Sequence, residues 1–335
     1  MEPVTHALTS IALGRAGLNK LTRAATPMLL ASGLVADIDW VTRLAGAEAF
    51  LRGHRTATHS LLGTAAIAAI LAAGFWFAGR RYPKFALKFF LALLLCAIGA
   101  GTHLLLDLFN GYGVKLLWPF RNKWFSWDLA YPVDFWILFF LLAGLLLPEL
   151  FRLVLEEIGS KPKRRGRQRG AIVGLALVAL AIGGRAFAHH RAIALLDSRS
   201  YGDQTPLAVA AFPRPSNPLA WDGVVETDNA VVNLEVPLGP GPDFDPERGD
   251  THFKPQDSPA LKNAIGTPLA AEFLSFARFP LASVQPEGDG FRVRLRDMRF
   301  AGELAGRRGV GCVVHLNAQS QVINERIEFD SPAME

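Results

Sequence analysis

The chain has 335 residues, half of them apolar and only 19% charged, with a formal net charge of +5 and a mean hydropathy of +0.23. Soluble domains carry about 25% charged residues. This composition excludes a disordered chain and a collagen-like repeat, two cysteines are too few for a disulfide scaffold, and the low charge argues against a wholly soluble protein. The averages conceal two compositions. Residues 60–79 contain no charge at all, whereas 199–335 are polar with turn residues throughout.

The opening Met-Glu-Pro-Val-Thr-His has no basic region and polar residues interrupt the first apolar stretch, so no cleavable signal peptide is expected. Segments 7–18 and 25–38 are apolar but short, and are expected as half-buried helices packed on a bundle. Four runs are expected to span: 60–79, 89–106, 135–147 and 171–184, the last extending toward His189 past Arg185. Twenty helical residues cover about 30 Å, the thickness of a bilayer core. From Tyr201 the pattern turns to strands. Residues 224–226 and 231–236 flank a hairpin signal at Asp228-Asn229, and 310–316 and 322–329 flank another turn. Residues 258–279 read as one or two short helices. The expected fold is a multi-pass α-helical membrane bundle (1–190) followed by a small α+β domain with an antiparallel sheet (200–335).

Basic residues orient the bundle. The turns 15–23, 80–88 and 152–169 hold fourteen Lys and Arg, and the opposite turns 40–55 and 110–134 hold six. The first set is expected in the cytoplasm, which delivers the C-terminal domain to the outer, periplasmic side of a bacterial inner membrane. The basic run 161–169 is better explained as a cytoplasmic loop than as a nucleic-acid patch, and no nucleic-acid partner is expected. Arg292, Arg294 and Arg296 alternate with apolar residues. They form either a solvated face neutralised by Asp297, Glu303 and Glu325 or a site for lipid phosphates.

With two distant cysteines a thiolate metal site is excluded, so any metal must use imidazole and carboxylate. Ionisable groups in or beside spans are costly and functional by default. His6, Asp37, Asp39, His54, His59, His103 and Asp107 all fall at the outer ends of the expected helices. His103 and Asp107 are four apart and project from one helix face. Asp37 and Asp39 offer one carboxylate to a metal and one to a second metal or a histidine, or else cap a helix or meet Arg43. His54 and His59 bracket a helix start. Arg55 between them either binds an anionic substrate oxygen or pairs with Asp39. Asp134 is a helix N-cap or a further ligand. Imidazole with carboxylate suits zinc, with manganese or iron as alternatives. Such an ion lowers the pKa of water to about 7 and polarises a phosphoryl or carbonyl oxygen.

The elements Thr5-His6-Ala7, Asp37-Ile38-Asp39, His54-Arg55-x-x-Thr58-His59-Ser60 and Gly101-x-His103-Leu104-x-x-Asp107 resemble the YdjM family of bacterial inner-membrane proteins, described as metal-dependent hydrolases. The resemblance covers about residues 1–190 and extends into the tail through Pro213-Arg214-Pro215-x-Asn217-Pro218-x-x-Trp221. It implies a membrane-bound hydrolase and names no substrate.

The expected activity is hydrolysis of an ester, a phosphoester or lipid-borne one above all. His54, His59, His103, Asp107 and one or both of Asp37 and Asp39 hold the metal, and His6 is a weaker member. Whichever of Asp37 and Asp39 does not ligate the metal is the candidate general base, and Arg55 contacts substrate. The expected partners are the lipid bilayer and a lipid or phosphoester substrate. The alternative is a transporter or a metal- or proton-handling protein. Such a protein would distribute ionisable groups through the bilayer depth rather than gather them at one end.

Overall fold

The computed structural model describes residues 1–81, 87–159, 166–241, 243–300 and 309–329. Lys84, Lys161, Lys163, Arg164, Arg165 and Glu303 lie outside the described residues. The chain forms two compact units, Met1–Asp39 with Arg55–Phe187 and Trp40–His54 with Ala188–Glu335.

The first unit is helical. Helix α1 (Pro3–Ala16) starts with Glu2 as N-cap, its carboxylate accepting from the Thr5 amide at 3.1 Å, and Pro3 in the first turn, where no amide is needed. Helix α2 (Ala25–Leu34) runs into a 3-10 helix, Val35–Ala45, followed by α3 (Ala47–Gly53). Four helices are long and apolar enough to cross a membrane: α4 (Leu61–Arg81), α5 (Phe89–Leu108), α6 (Phe135–Glu157) and α7 (Gly166–Asp197). They cover the four expected runs, with α6 and α7 extending well beyond the apolar stretches that announced them. The lipid-facing positions keep large apolar side chains exposed, such as Ile70, Phe90 and Leu180.

Lipid tails are as apolar as leucine, so burial alone draws such helices together weakly and close backbone approach must contribute. Glycines supply it at two places. A Cβ on Gly144 would lie 2.7 Å from the Gly170 carbonyl and 2.8 Å from the Gly174 Cα, so α6 and α7 meet through a stripe of small residues. A Cβ on Gly99 would lie 2.7 Å from the Leu29 carbonyl oxygen, and α2 therefore packs backbone-close on α5. Around this contact Met28, Leu95, Cys96 and Ala72 are fully buried. Arg185, inside α7, is accommodated by an ion pair with buried Asp134. Asp134 also caps α6 by accepting from the Ile137 amide at 3.2 Å, which settles it as an N-cap.

The second unit holds two four-stranded antiparallel sheets, where a single sheet was expected. The first runs β1 (Ala208–Pro213), β2 (Ala220–Glu226), β3 (Ala230–Pro237), β4 (Asp250–Phe253) in spatial order. The second runs β5 (Pro280–Glu287), β6 (Gly290–Asp297), β7 (Val310–Leu316), β8 (Val322–Phe329). Helices α8 (Pro259–Ile265) and α9 (Pro268–Phe276) lie between the sheets in sequence, each with a hydroxyl N-cap, Ser258 and Thr267. Trp221 is buried beneath the end of α7 with Ala192 and Leu196, and α3 packs on α9 and β8. On β6 the arginines are half-buried while Val293 and Leu295 are buried. Arg292 pairs with Glu328 at 3.7 Å, and Asp297 is committed to Arg299. Cys96 and Cys312 are free thiols.

Candidate metal centre

His103 and Asp107 lie one turn apart on α5, both buried, as their spacing predicts. The Gly99 contact brings the end of α2 against them, and His103 Nδ1 is 2.8 Å from the Gly33 carbonyl oxygen. A carbonyl only accepts, so Nδ1 carries the proton and Nε2 presents a lone pair. His59 sits in the turn before α4. Its Nδ1 is 3.1 Å from Asp39 Oδ2 and 3.0 Å from Thr58 Oγ1. The carboxylate likewise draws the proton to Nδ1 and leaves a lone pair on Nε2.

The two Nε2 atoms face each other at 3.1 Å. Asp107 Oδ2 lies 3.0 Å from that of His59 and 3.4 Å from that of His103, and Asp37 Oδ1 lies 3.8 Å from both. One ligand atom from each of Asp37, His59, His103 and Asp107 falls within 4.8 Å of every other. Four acceptors packed this closely in a buried site repel one another unless a cation lies among them. The donor set, two imidazoles and two carboxylates with outer hydrogen bonds fixing both tautomers, could hold a metal ion. Asp37 Oδ2 and Asp107 Oδ2 have no hydrogen-bond partner among the described residues. Burial pushes the Asp37 carboxyl up to about 6, against the opposing pull of the N-terminal ammonium and Arg55.

The other expected residues are placed differently. Asp39 is engaged with the Arg55 amide at 2.7 Å, Thr58 Oγ1 at 3.1 Å and His59, the arrangement of a carboxylate that orients a ligand. His6 stacks on His103 with ring centroids 3.9 Å apart and its Nε2 is 3.6 Å from Asp107 Oδ1. His54 belongs to the second unit, where its ring stacks on Phe50 at 4.5 Å and meets the edge of Trp40 at 5.4 Å. It is not among the four converging ligands. Asp128 accepts from Ser126 Oγ at 2.8 Å.

Arg55 adopts a left-handed backbone (φ +56°) and is buried. Its side chain pairs with Asp107, with Nη2 2.8 Å from Oδ1, and its guanidinium lies over the Tyr112 ring at 5.2 Å. Of the two readings open from sequence, side-chain pairing with Asp39 is replaced by a backbone bond to it. The Met1 α-ammonium also ion-pairs with Asp107.

Three contributors were not singled out from sequence: the Gly33 carbonyl, Tyr112 and Gly99. Only Gly99 carried a signal, one turn before His103 on the same helix face.

A multi-helix membrane protein with a buried His/Asp cluster at its helix ends is thus defined. Residues 1–192 match the YdjM inner membrane protein family, more than half of the chain, and the chain belongs to that family. The uncharacterized protein YfhP of Bacillus subtilis (strain 168) is 28% identical over 142 residues, which is 40% of this chain and 42% of the relative. The chain therefore spans less than half the length of that relative. No solved structure matches the chain.

Proposed function

We propose that the chain is an integral membrane metal-dependent hydrolase acting on an ester, a phosphoester in particular. Asp37, His59, His103 and Asp107 hold a divalent ion, zinc before manganese or iron. The observation that carries this reading is the pair of imidazole lone pairs facing each other at 3.1 Å beside Asp107. When bound, the ion supplies Lewis acidity and acidified water.

The chain's own residues do the rest. Asp39 and the Gly33 carbonyl hold the two imidazoles in the ligating tautomer. Asp37 Oδ2 has no hydrogen-bond partner among the described residues and is the carboxylate oxygen open to accept a proton from water. Asp39, already engaged by three donors, positions rather than reacts. His6 covers one face of His103.

The ligands lie where α4 begins and α5 ends, and the following loop exposes Trp118, Phe120 and Trp127. Such side chains favour the headgroup layer, which supports a substrate drawn from the membrane. The excess of basic residues in the alternate turns supports a site and a C-terminal domain on the periplasmic side.

The test uses detergent-purified protein with zinc or with chelator, assayed on an aryl phosphodiester and a short-chain phospholipid. Zinc-dependent release that vanishes in His59→Ala is expected. A zinc-loaded protein that turns over no phosphoester contradicts the hydrolase reading. A topology reporter fused after Arg199 is expected to report the periplasm, and a cytoplasmic signal contradicts the orientation.

A further inference from the structure

The buried site contains orphaned donors as well as orphaned acceptors. Arg55 spends Nη2 on Asp107, but its Nε and Nη1 are buried and have no hydrogen-bond partner among the described residues. A buried donor left unmade costs about 1–3 kcal/mol, more when charged, so these two nitrogens call for an acceptor. A divalent ion would answer Asp37, Asp107 and the imidazoles and leave the guanidinium unanswered.

The residue is also held in place. Its left-handed backbone is fixed by its amide on Asp39 at 2.7 Å and by its carbonyl accepting from the Lys115 amide at 3.0 Å. Strained backbone persists where surroundings over-determine it, and it clusters at binding and active sites. The same Asp39 carboxylate orients His59, so one group sets the guanidinium and a ligand together.

We propose that Arg55 is the receptor for a phosphoryl oxygen of the substrate. One of its two unpartnered nitrogens, Nε or Nη1, which flank the Nη2 already on Asp107, takes a non-bridging oxygen beside the metal, which favours a phosphoester over a neutral ester or amide. This rests on the hydrolase reading above. A counter-ion to Asp107 needs only one donor, which lysine also supplies. A receptor that donates from further atoms of a planar fork does not survive that exchange.

The experiment measures zinc content and inorganic phosphate affinity of the full chain in detergent, for wild type and Arg55→Lys. Wild type is expected to bind zinc and phosphate. Arg55→Lys is expected to keep its zinc and bind phosphate at least ten-fold more weakly. Equal phosphate affinity in the two proteins overturns the proposal and leaves the metal site standing, as does zinc-loaded wild type that binds no phosphate.

Footprinting of wild type alone covers the case of a variant that does not fold. Phenylglyoxal modification of Arg55, read by mass spectrometry, is expected to slow about ten-fold in phosphate relative to chloride. Absence of protection overturns the proposal. Stronger protection by a short-chain phosphatidate than by glycerol phosphate assigns the phosphoryl group to a lipid, and equal protection assigns it to a soluble ester; either outcome supports the receptor. A wild type that takes up no zinc defeats the hydrolase reading separately, and phosphate protection of the metal-free protein then judges Arg55 by itself.

Discussion

Both units bury arginine–aspartate pairs, and Arg299–Asp297 of the strand unit and Arg55–Asp107 of the helical unit are finished to different degrees. In the strand unit Asp297 accepts from the Arg278 amide at 3.1 Å, the Arg299 amide at 3.1 Å and Arg299 Nε at 2.8 Å. Arg299 Nη2 donates to the Phe276 carbonyl at 3.0 Å, and the guanidinium lies over the Phe276 ring. In the helical unit the pair Arg55–Asp107 leaves donors and an acceptor without partners and sits beside two imidazole lone pairs. A satisfied buried network holds a fold together. Unsatisfied groups beside two imidazole lone pairs call for partners that the fold does not supply.

This contrast can be broken by mutation. The largest effect on stability is expected from Asp297→Ala, which strands Arg299 in the interior. Breaking one side of a buried pair costs about 3–5 kcal/mol, visible as a large loss of thermal stability with metal content unchanged per folded molecule. A variant that unfolds no more easily than wild type removes the structural half of the comparison.

Asp39→Asn is expected to cost less stability and more function. Loss of an orienting carboxylate typically weakens metal affinity about 10- to 100-fold, measured by competition with a chelator of known affinity. Unchanged affinity contradicts the role of Asp39 in holding His59.

The smallest effect concerns pH. Asp37 has its carboxyl raised to about 6 from an ordinary value of 3.8. The folded metal-free protein therefore binds more protons than the unfolded chain between those values. Its stability falls as pH rises through that window and is relatively highest at the acid end. Asp37→Asn is expected to lack this component, so the stability difference between variant and wild type changes between about pH 4 and 6. A pH-independent difference contradicts it. Metal affinity runs the other way, rising with pH as the carboxylate forms.

Much of the helical unit was legible because lipid imposes a simple code. Uncharged runs of bilayer length became α4 and α5, and the four-residue spacing of His103 and Asp107 placed both on one face. A split between one carboxylate on a metal and one on a histidine was legible, but not which of Asp37 and Asp39 takes which part. A 3-10 helix turns about 120° per residue, so two carboxylates two apart point to different sides of His59, one facing Nε2 and the other Nδ1. His54, only five residues before His59, stacks with aromatic residues of its own segment, and no periodicity announces that. Backbone contributors such as the Gly33 carbonyl leave no trace in side-chain pattern. In the strand unit alternation marked individual strands, but pairing is a long-range property. Two sheets and one sheet therefore read alike.

The central claim is that the facing lone pairs exist to hold a divalent ion. Metal content of the detergent-purified chain, compared with His103→Ala and Asp107→Ala, tests it most directly. Stoichiometric metal in wild type and its loss in both variants is the expected result. Equal and negligible metal in all three proteins after incubation with zinc, manganese or iron would contradict the account.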